Sequence, residues 1–157
     1  VLQCIKKIKR INTGIIITTD KVYDINKNKI FKETDTLGGL DPYSASKVCV
    51  EFLFNSYYKS FFGNKNKMIA TVRAVNVIGG GDYSLDRLVP DFIKSEKMNR
   101  KLFLRNPDSV RPWQHVLEPL NGYLLLAQKI HSKNIKKLKQ NWNFGPNISS
   151  CKSVKYL

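Results

Sequence analysis

The sequence predicts an α/β layered fold with parallel strands, and three observations carry that prediction. Strand-like and helix-like stretches alternate along the 157 residues. The run "GIIITT" is continuously apolar and β-branched, the pattern of a central parallel strand covered on both faces. The segment "DPYSASKVCVEFLFNSYYKSFF" opens with Asp41 at an N-cap and Pro42 at the first helical position.

The elements follow in order. Val1, Leu2, Ile5 and Ile8 recur at helical spacing, so the chain begins as the end of a helix and is expected to enter mid-element, as a fragment does. Gly14 closes that segment and the "IIITT" strand follows. A polar loop is expected from Asp24 to Asp41. The helix from Pro42 to Phe62 reads as apolar nearly all round, with Val48, Cys49, Val50, Phe52, Leu53, Phe54, Tyr57 and Tyr58. Such a helix has no face suited to water. One side packs on the sheet and the other needs a cover, with Phe54 expected to point outward. "MIATVRAVNVI" is the next strand, "GGGD" its turn, and "LDRLVPDFIKSEK" a helix containing Pro90. "KLFLR" is expected as a short strand, "VLEPLNGYLLLAQKI" as a helix and "NWNFG" as another short strand.

Composition narrows the function classes. Hydrophobic residues make up 42% and aromatics 11%, which excludes a disordered chain. No apolar run is long enough to cross a bilayer as a helix, and "VLQCIKKIKRIN" lacks the apolar core of a secretory leader. Three widely spaced cysteines, Cys4, Cys49 and Cys151, form no ligand pattern, so no metal site and a reducing, cytoplasmic compartment are expected. The net charge of +15 raises nucleic acid as a partner. The excess is mainly lysine, spread through "NKNK", "GNKNK" and "NIKKLKQN", with no basic stripe interleaved with aromatics. Solvated loops and helix faces are the expected use of those lysines, and neither a nucleic-acid nor a membrane partner is expected.

Two constellations carry chemistry. Tyr43 and Lys47 stand at i and i+4, on one helix face. An ammonium beside a phenol favours the phenolate, a usable proton acceptor. The spacing alone also fits a solvated helix pair. Thr19, Asp20 and Lys21 lie just past the carboxyl end of a buried strand, where open α/β sheets bind ligands. A hydroxyl there hydrogen-bonds a reacting oxygen, a carboxyl gives up a proton, and a lysine takes one. A turn or N-cap cluster is the structural alternative.

The order strand-"TTDKVY", "DPYSASK", strand-"RAVNVIGGGD" and "RPWQHVLEP" resembles the extended short-chain dehydrogenase/reductase family, in its NAD-dependent epimerase/dehydratase group. The resemblance runs from Val1 to Pro146. Dehydratases of dTDP- or GDP-sugars carry Asp-Glu or a related pair where this chain has Asp20-Lys21, so the resemblance points to the CDP-sugar branch. It implies the C-terminal part of a Rossmann-like doubly wound parallel sheet plus part of a small substrate-binding region. As domains, it implies one partial domain over 1–157: about 1–85 and 110–130 in the Rossmann-like core, about 86–109 and 131–157 in the substrate-binding region.

The implied activity is NAD-dependent dehydration of CDP-glucose to CDP-4-keto-6-deoxyglucose. Tyr43 would take the C4 hydroxyl proton, and Lys47 would tune Tyr43 and hold the nicotinamide ribose. Thr19 would hydrogen-bond the C4 oxygen. Asp20 would protonate the departing C6 hydroxyl, and Lys21 would remove the C5 proton. Asn76, Arg111 and, less distinctively, Arg87 would hold the substrate's diphosphate. A homodimer through helix 42–62 is implied as well. The family's Gly-rich turn falls before Val1, so the chain is expected to be the middle of a longer enzyme and, isolated, to be inactive and to bind NAD weakly. His115 is expected to be structural or to support the site from behind, His131 to be solvated, Trp113 to pack in the core and "GGGD" to be a plain turn. The alternatives are another nucleotide-sugar epimerase or dehydratase of the same fold, which Asp20-Lys21 disfavours, and a non-catalytic basic nucleic-acid module, which the Tyr43/Lys47 pair disfavours.

Overall fold

The computed structural model describes residues 1–24, 29–63, 67–132 and 140–157. The lysine-bearing stretches at 25–28, 64–66 and 133–139, expected as solvated loops, lie outside the described residues. The chain divides into two compact units, Val1–Val75 with Pro119–Phe144, and Asn76–Glu118 with Gly145–Leu157.

The first unit is a three-stranded parallel sheet in the order β1-β2-β5, formed by β1 (Thr13–Ile17), β2 (Met68–Ala74) and β5 (Asn141–Phe144). Ile15 aligns with Ala70 and Val72 with Trp142. Helices α1 (Leu2–Lys7) and α2 (Pro42–Tyr57) cover one face, and α4 (Leu117–His131) covers the other from Pro119 onward. Alternation along β2 assigns the side chains. Ile69 packs with Leu2, Ile5, Phe54 and Phe62 on the first face, while Ala70 and Val72 pack with Tyr123, Leu126 and Ile130 on the second. The α4 backbone comes close to β5: a Cβ on Gly122 would stand 2.3 Å from the Phe144 ring.

Several expectations are corrected here. The central strand among the described residues is β2; β1 is covered on both faces as expected, with Ile16 packed on one and Ile15 on the other, but it is not central. The "IIITT" strand, β1, pairs with β2 alone among the described residues and leaves Ile17 55% exposed. "MIATVRAVNVI" breaks at Val75 into β2 and β3, which join different sheets. Residues 101–105 form no strand, and Phe103 is exposed rather than packed on a sheet. Phe54 points inward and is fully buried, because it follows Glu51 by three residues on the face packed against the sheet. The outward apolar side chains of α2 are Phe52 and Leu53. The helix is also less apolar than its composition suggests, since Glu51 at its centre is fully buried. A π-helical turn, Tyr58–Phe62, extends it.

The second unit is a sheet in the order β3-β4-β6, formed by β3 (Asn76–Ile78), β4 (Val110–His115) and β6 (Cys151–Ser153). β3 and β4 are parallel, β4 and β6 antiparallel. Helix α3 (Leu88–Lys97) accommodates Pro90 in its first turn, where a backbone N–H has no helical partner.

Candidate functional site

The site begins where β1 ends. The Thr18 N–H donates to the Val72 carbonyl at 2.8 Å, the last tie of this strand to β2. The chain then makes one tight turn, Asp20–Val22, capped by Thr19. The Thr19 hydroxyl accepts the Lys21 N–H at 3.4 Å and donates to Asp20 Oδ1 at 3.1 Å. Val22 is fully buried and anchors the turn, which leaves Lys21 on the surface. Burial pushes the Asp20 carboxyl above its ordinary value, although the Thr19 hydrogen bond and the Lys21 charge pull the other way.

Helix α2 supplies the second half. The Asp41 carboxylate accepts from the Ser44 N–H at 3.0 Å and the Ser44 hydroxyl at 2.5 Å. These bonds, with the Lys21 charge, hold Asp41 below the usual carboxylate range. Gly39, at φ +108°, lets the loop approach this helix start: a Cβ there would be 2.9 Å from the Ala45 Cα. Tyr43 follows on the first turn, half exposed. The ammonium groups of Lys21 and Lys47 each stand 5.7 Å from the centroid of its ring. The structure therefore gathers Thr19, Asp20, Lys21, Tyr43 and Lys47 into one cluster within the first unit. It offers a phenol between two cations and a carboxyl with raised proton affinity, a set suited to proton transfer.

The other expected residues lie in the second unit. Asn76 opens β3, half-buried, in register with Trp113. Arg87 is exposed at the start of α3 and pairs with Asp82 at 3.4 Å. Arg111 is exposed on β4, in register with Lys152. Asp82 also accepts the Ser84 N–H at 3.0 Å, a turn contact of the "GGGD" segment. His115 Nδ1 accepts the Leu117 N–H at 3.3 Å, and Trp113 Nε1 donates to the Lys152 carbonyl at 3.2 Å. In the first unit, His131 Nδ1 lies 3.4 Å from the Thr13 hydroxyl. Among the described residues, no group of three His, Cys, Asp or Glu is placed to hold a metal ion.

Sequence reasoning missed a buried polar hub directly behind this cluster. Glu51 forms a two-pronged pair with Arg73, Oε1 to Nε and Oε2 to Nη2, both at 2.9 Å. Glu51 Oε1 also accepts from the Thr18 hydroxyl at 2.5 Å, and Oε2 from the Thr71 hydroxyl and Asn141 Nδ2, each at 3.0 Å. Arg73 Nη1 donates to the Tyr23 hydroxyl at 2.8 Å, which in turn donates to Asn143 at 2.6 Å. Burial alone would raise the Glu51 carboxyl. The Arg73 bonds and charge, with the Thr18 and Thr71 hydroxyls, outweigh it and hold the group below its ordinary value. The signal was legible in part: one Glu four residues after Lys47 in a mostly apolar helix, and one Arg inside an apolar strand.

A family model described as GDP-mannose 4,6 dehydratase matches residues 1–149. The CDP-glucose 4,6-dehydratase of Salmonella typhimurium is 42% identical over 163 aligned residues, covering 99% of this chain and 45% of that enzyme. The dTDP-glucose 4,6-dehydratase of Bacillus anthracis, solved in complex with NAD, superposes with a TM-score of 0.79 at 25% identity, over 97% of this chain and 45% of that one. A UDP-glucuronic acid 4-epimerase from Bacillus cereus shares the fold, with a TM-score of 0.75 at 22% identity, over 98% of this chain and 45% of that one. The chain thus spans less than half the length of each of these relatives.

Proposed function

Because this chain belongs to the GDP-mannose 4,6 dehydratase family, we propose that the protein it represents is an NAD-dependent CDP-glucose 4,6-dehydratase. One observation carries the reading: the Thr19–Asp20–Lys21 turn converges on the Tyr43/Lys47 pair, with both ammonium groups 5.7 Å from the phenol ring. The 42% identity to an enzyme of that name and the Asp20-Lys21 pair support the choice of sugar nucleotide.

An exposed phenol beside an ammonium is a donor set that suits a ribose diol, so the residues present fit the nicotinamide end of NAD. When bound, NAD supplies the acceptor for the C4 hydride and returns it at C6. The chain's own residues move the protons. Tyr43 receives the proton of the C4 hydroxyl, with the Lys21 and Lys47 ammonium groups beside its ring. Thr19 turns its hydroxyl from Asp20 to the C4 oxygen. Lys21 takes the C5 proton, acidified by the new carbonyl. Asp20 delivers a proton to the departing C6 hydroxyl, a role its raised proton affinity suits. Asn76, Arg87 and Arg111 are our candidates for the diphosphate, with Arg forking its oxygens.

Two further features belong to the reading. The exposed Phe52 and Leu53, with the exposed Cys49, form an apolar strip on α2, which supports a homodimer through that helix. Three free cysteines support a cytoplasmic setting. No described helix is long and apolar enough to cross a membrane.

The test is proton NMR of the full-length protein incubated with NAD and CDP-glucose. A new C6 methyl signal is the expected product signature, absent with dTDP-, GDP- or UDP-sugars. Inversion at C4 with the C6 hydroxyl retained would overturn the reading in favour of an epimerase.

A further inference from the structure

We propose that Glu51 and Arg73 are positioning residues for the candidate site: this buried pair fixes both flanks of the Asp20–Val22 turn to helix α2 and so sets Asp20 and Lys21 against Tyr43. The inference rests on the dehydratase reading for its catalytic consequence, and on geometry alone for the placement.

Tyr43, Lys47 and Glu51 stand at i, i+4 and i+8 on α2, one stripe running from the surface into the core. Glu51 grips Thr18, the residue before the Thr19 cap, at 2.5 Å. Arg73 grips Tyr23, the residue after Val22, at 2.8 Å. Tyr23 is fixed further by its bond to Asn143 and by stacking on Phe31, with ring centroids 4.8 Å apart. The turn bearing Asp20 and Lys21 is thus bracketed by one ion pair. Within the turn, backbone bonds are long: Val22 N–H to the Thr19 carbonyl at 3.4 Å and Tyr23 N–H to the Asp20 carbonyl at 3.3 Å. Its placement therefore depends on the bracket more than on its own bonds.

A purely structural role explains this arrangement less well. Apolar side chains of similar volume stabilise a core as well as a buried ion pair does, or better. They lack direction. The five donors on the two Glu51 oxygens come from Thr18, the residue just past β1, and from β2 and β5, so one carboxylate registers α2 against the end of β1 and both other strands. Charge-assisted, two-pronged bonds of this kind fix orientation as well as distance.

The experiment uses the full-length protein and the double variant Glu51→Leu/Arg73→Met, in which packing replaces the pair. Two readouts are taken on folded protein: the rate of water loss with CDP-glucose, followed in a single turnover by consumption of the NADH formed at C4 oxidation, and the Asp20 carboxyl titration by carbon NMR. Lys21 and the Thr19 hydroxyl are the groups that face Asp20. The proposal expects a folded double variant with water loss slowed about 10²-fold, the loss typical of a misplaced reacting group. It also expects the Asp20 titration to fall toward an ordinary carboxyl as the turn loosens and hydrates. Unchanged water loss with an unchanged Asp20 titration would overturn it. Should the double variant fail to fold, Glu51→Gln, which keeps one acceptor for Thr18, is measured the same way against the same two outcomes. A wild-type protein inert toward every nucleotide sugar would refute the dehydratase reading, and the Asp20 titration would still decide the positioning.

Discussion

Lys21 has its ammonium 5.7 Å from the Tyr43 ring centroid and its backbone N–H on the Thr19 hydroxyl. Under the proposed mechanism it acts after oxidation at C4, when the C5 hydrogen becomes acidic. Lys21→Ala in the full-length protein is expected to retain hydride transfer and to stall before water leaves. Loss of one acid–base group costs about 10²–10⁴-fold in rate. Single-turnover absorbance with CDP-glucose should show NADH accumulating, and deuterium from solvent should fail to enter C5. Exchange at the wild-type rate in the variant would assign Lys21 to positioning substrate and the base to another group. Asp20 was legible beside it as an acid, but its raised proton affinity was not. That shift comes first from burial, a property of the fold.

Helix α2 divides its side chains between three duties. Ser44, Val48, Glu51 and Phe54 are buried, Phe54 and Glu51 on the sheet and Val48 on Val22 and Tyr23, and Tyr43 and Lys47 line the candidate site. Phe52 and Leu53 remain 61% and 52% exposed. Composition announced a helix with too many apolar residues for one sheet face, and that was correct. Which of them face outward depends on the angular position of each residue, and Phe54 falls on the inner side. Leu53→Asp is therefore the variant that tests the proposed dimer. Light scattering of the full-length protein is expected to show a dimer for the wild type and a monomer for the variant. A monomer in both cases would reject the interface. Phe54→Asp would be a poor probe, because it buries an unpaired charge and unfolds the protein instead.

At the scale of the molecule, the Glu51–Arg73 pair links sheet and helix and makes folding stability depend on pH. Glu51 has its folded value held below its ordinary 4.5, so its contribution is present above that value and is lost as pH falls through the folded value. In that window the unfolded chain binds more protons, and stability rises with pH. Asp20 has the opposite sign: its folded value lies above its ordinary 3.8, so it favours the folded state as pH falls. Comparing wild type with Glu51→Gln isolates the first effect. Denaturant unfolding as a function of pH is expected to show a shallower acid limb in the variant. Removing one member of a buried pair costs about 3–5 kcal/mol, so the variant should also be less stable at neutral pH. An acid limb of equal slope would mean that Glu51 is not the group whose protonation weakens the fold.

Local information determined a good deal of this protein. β-branched runs, the Asp41-Pro42 helix start and the i, i+4 spacing of Tyr43 and Lys47 are properties of neighbours in sequence, and strand–helix alternation then leaves few layered arrangements open. The position of the triplet Thr19-Asp20-Lys21 at a strand's carboxyl end was likewise readable. Tertiary structure decided the rest. β2 rather than β1 became the central strand among the described residues, because position in a sheet depends on which strands pair on either side. The strand through Val75 broke because its two halves found partners in different sheets. Glu51 met Arg73 across 22 residues of sequence and Asn141 across 90. Sequence spacing carries no term for such contacts. A buried carboxylate becomes tolerable only when the fold delivers its donors, and those donors lie on β2, on β5 and just past the end of β1.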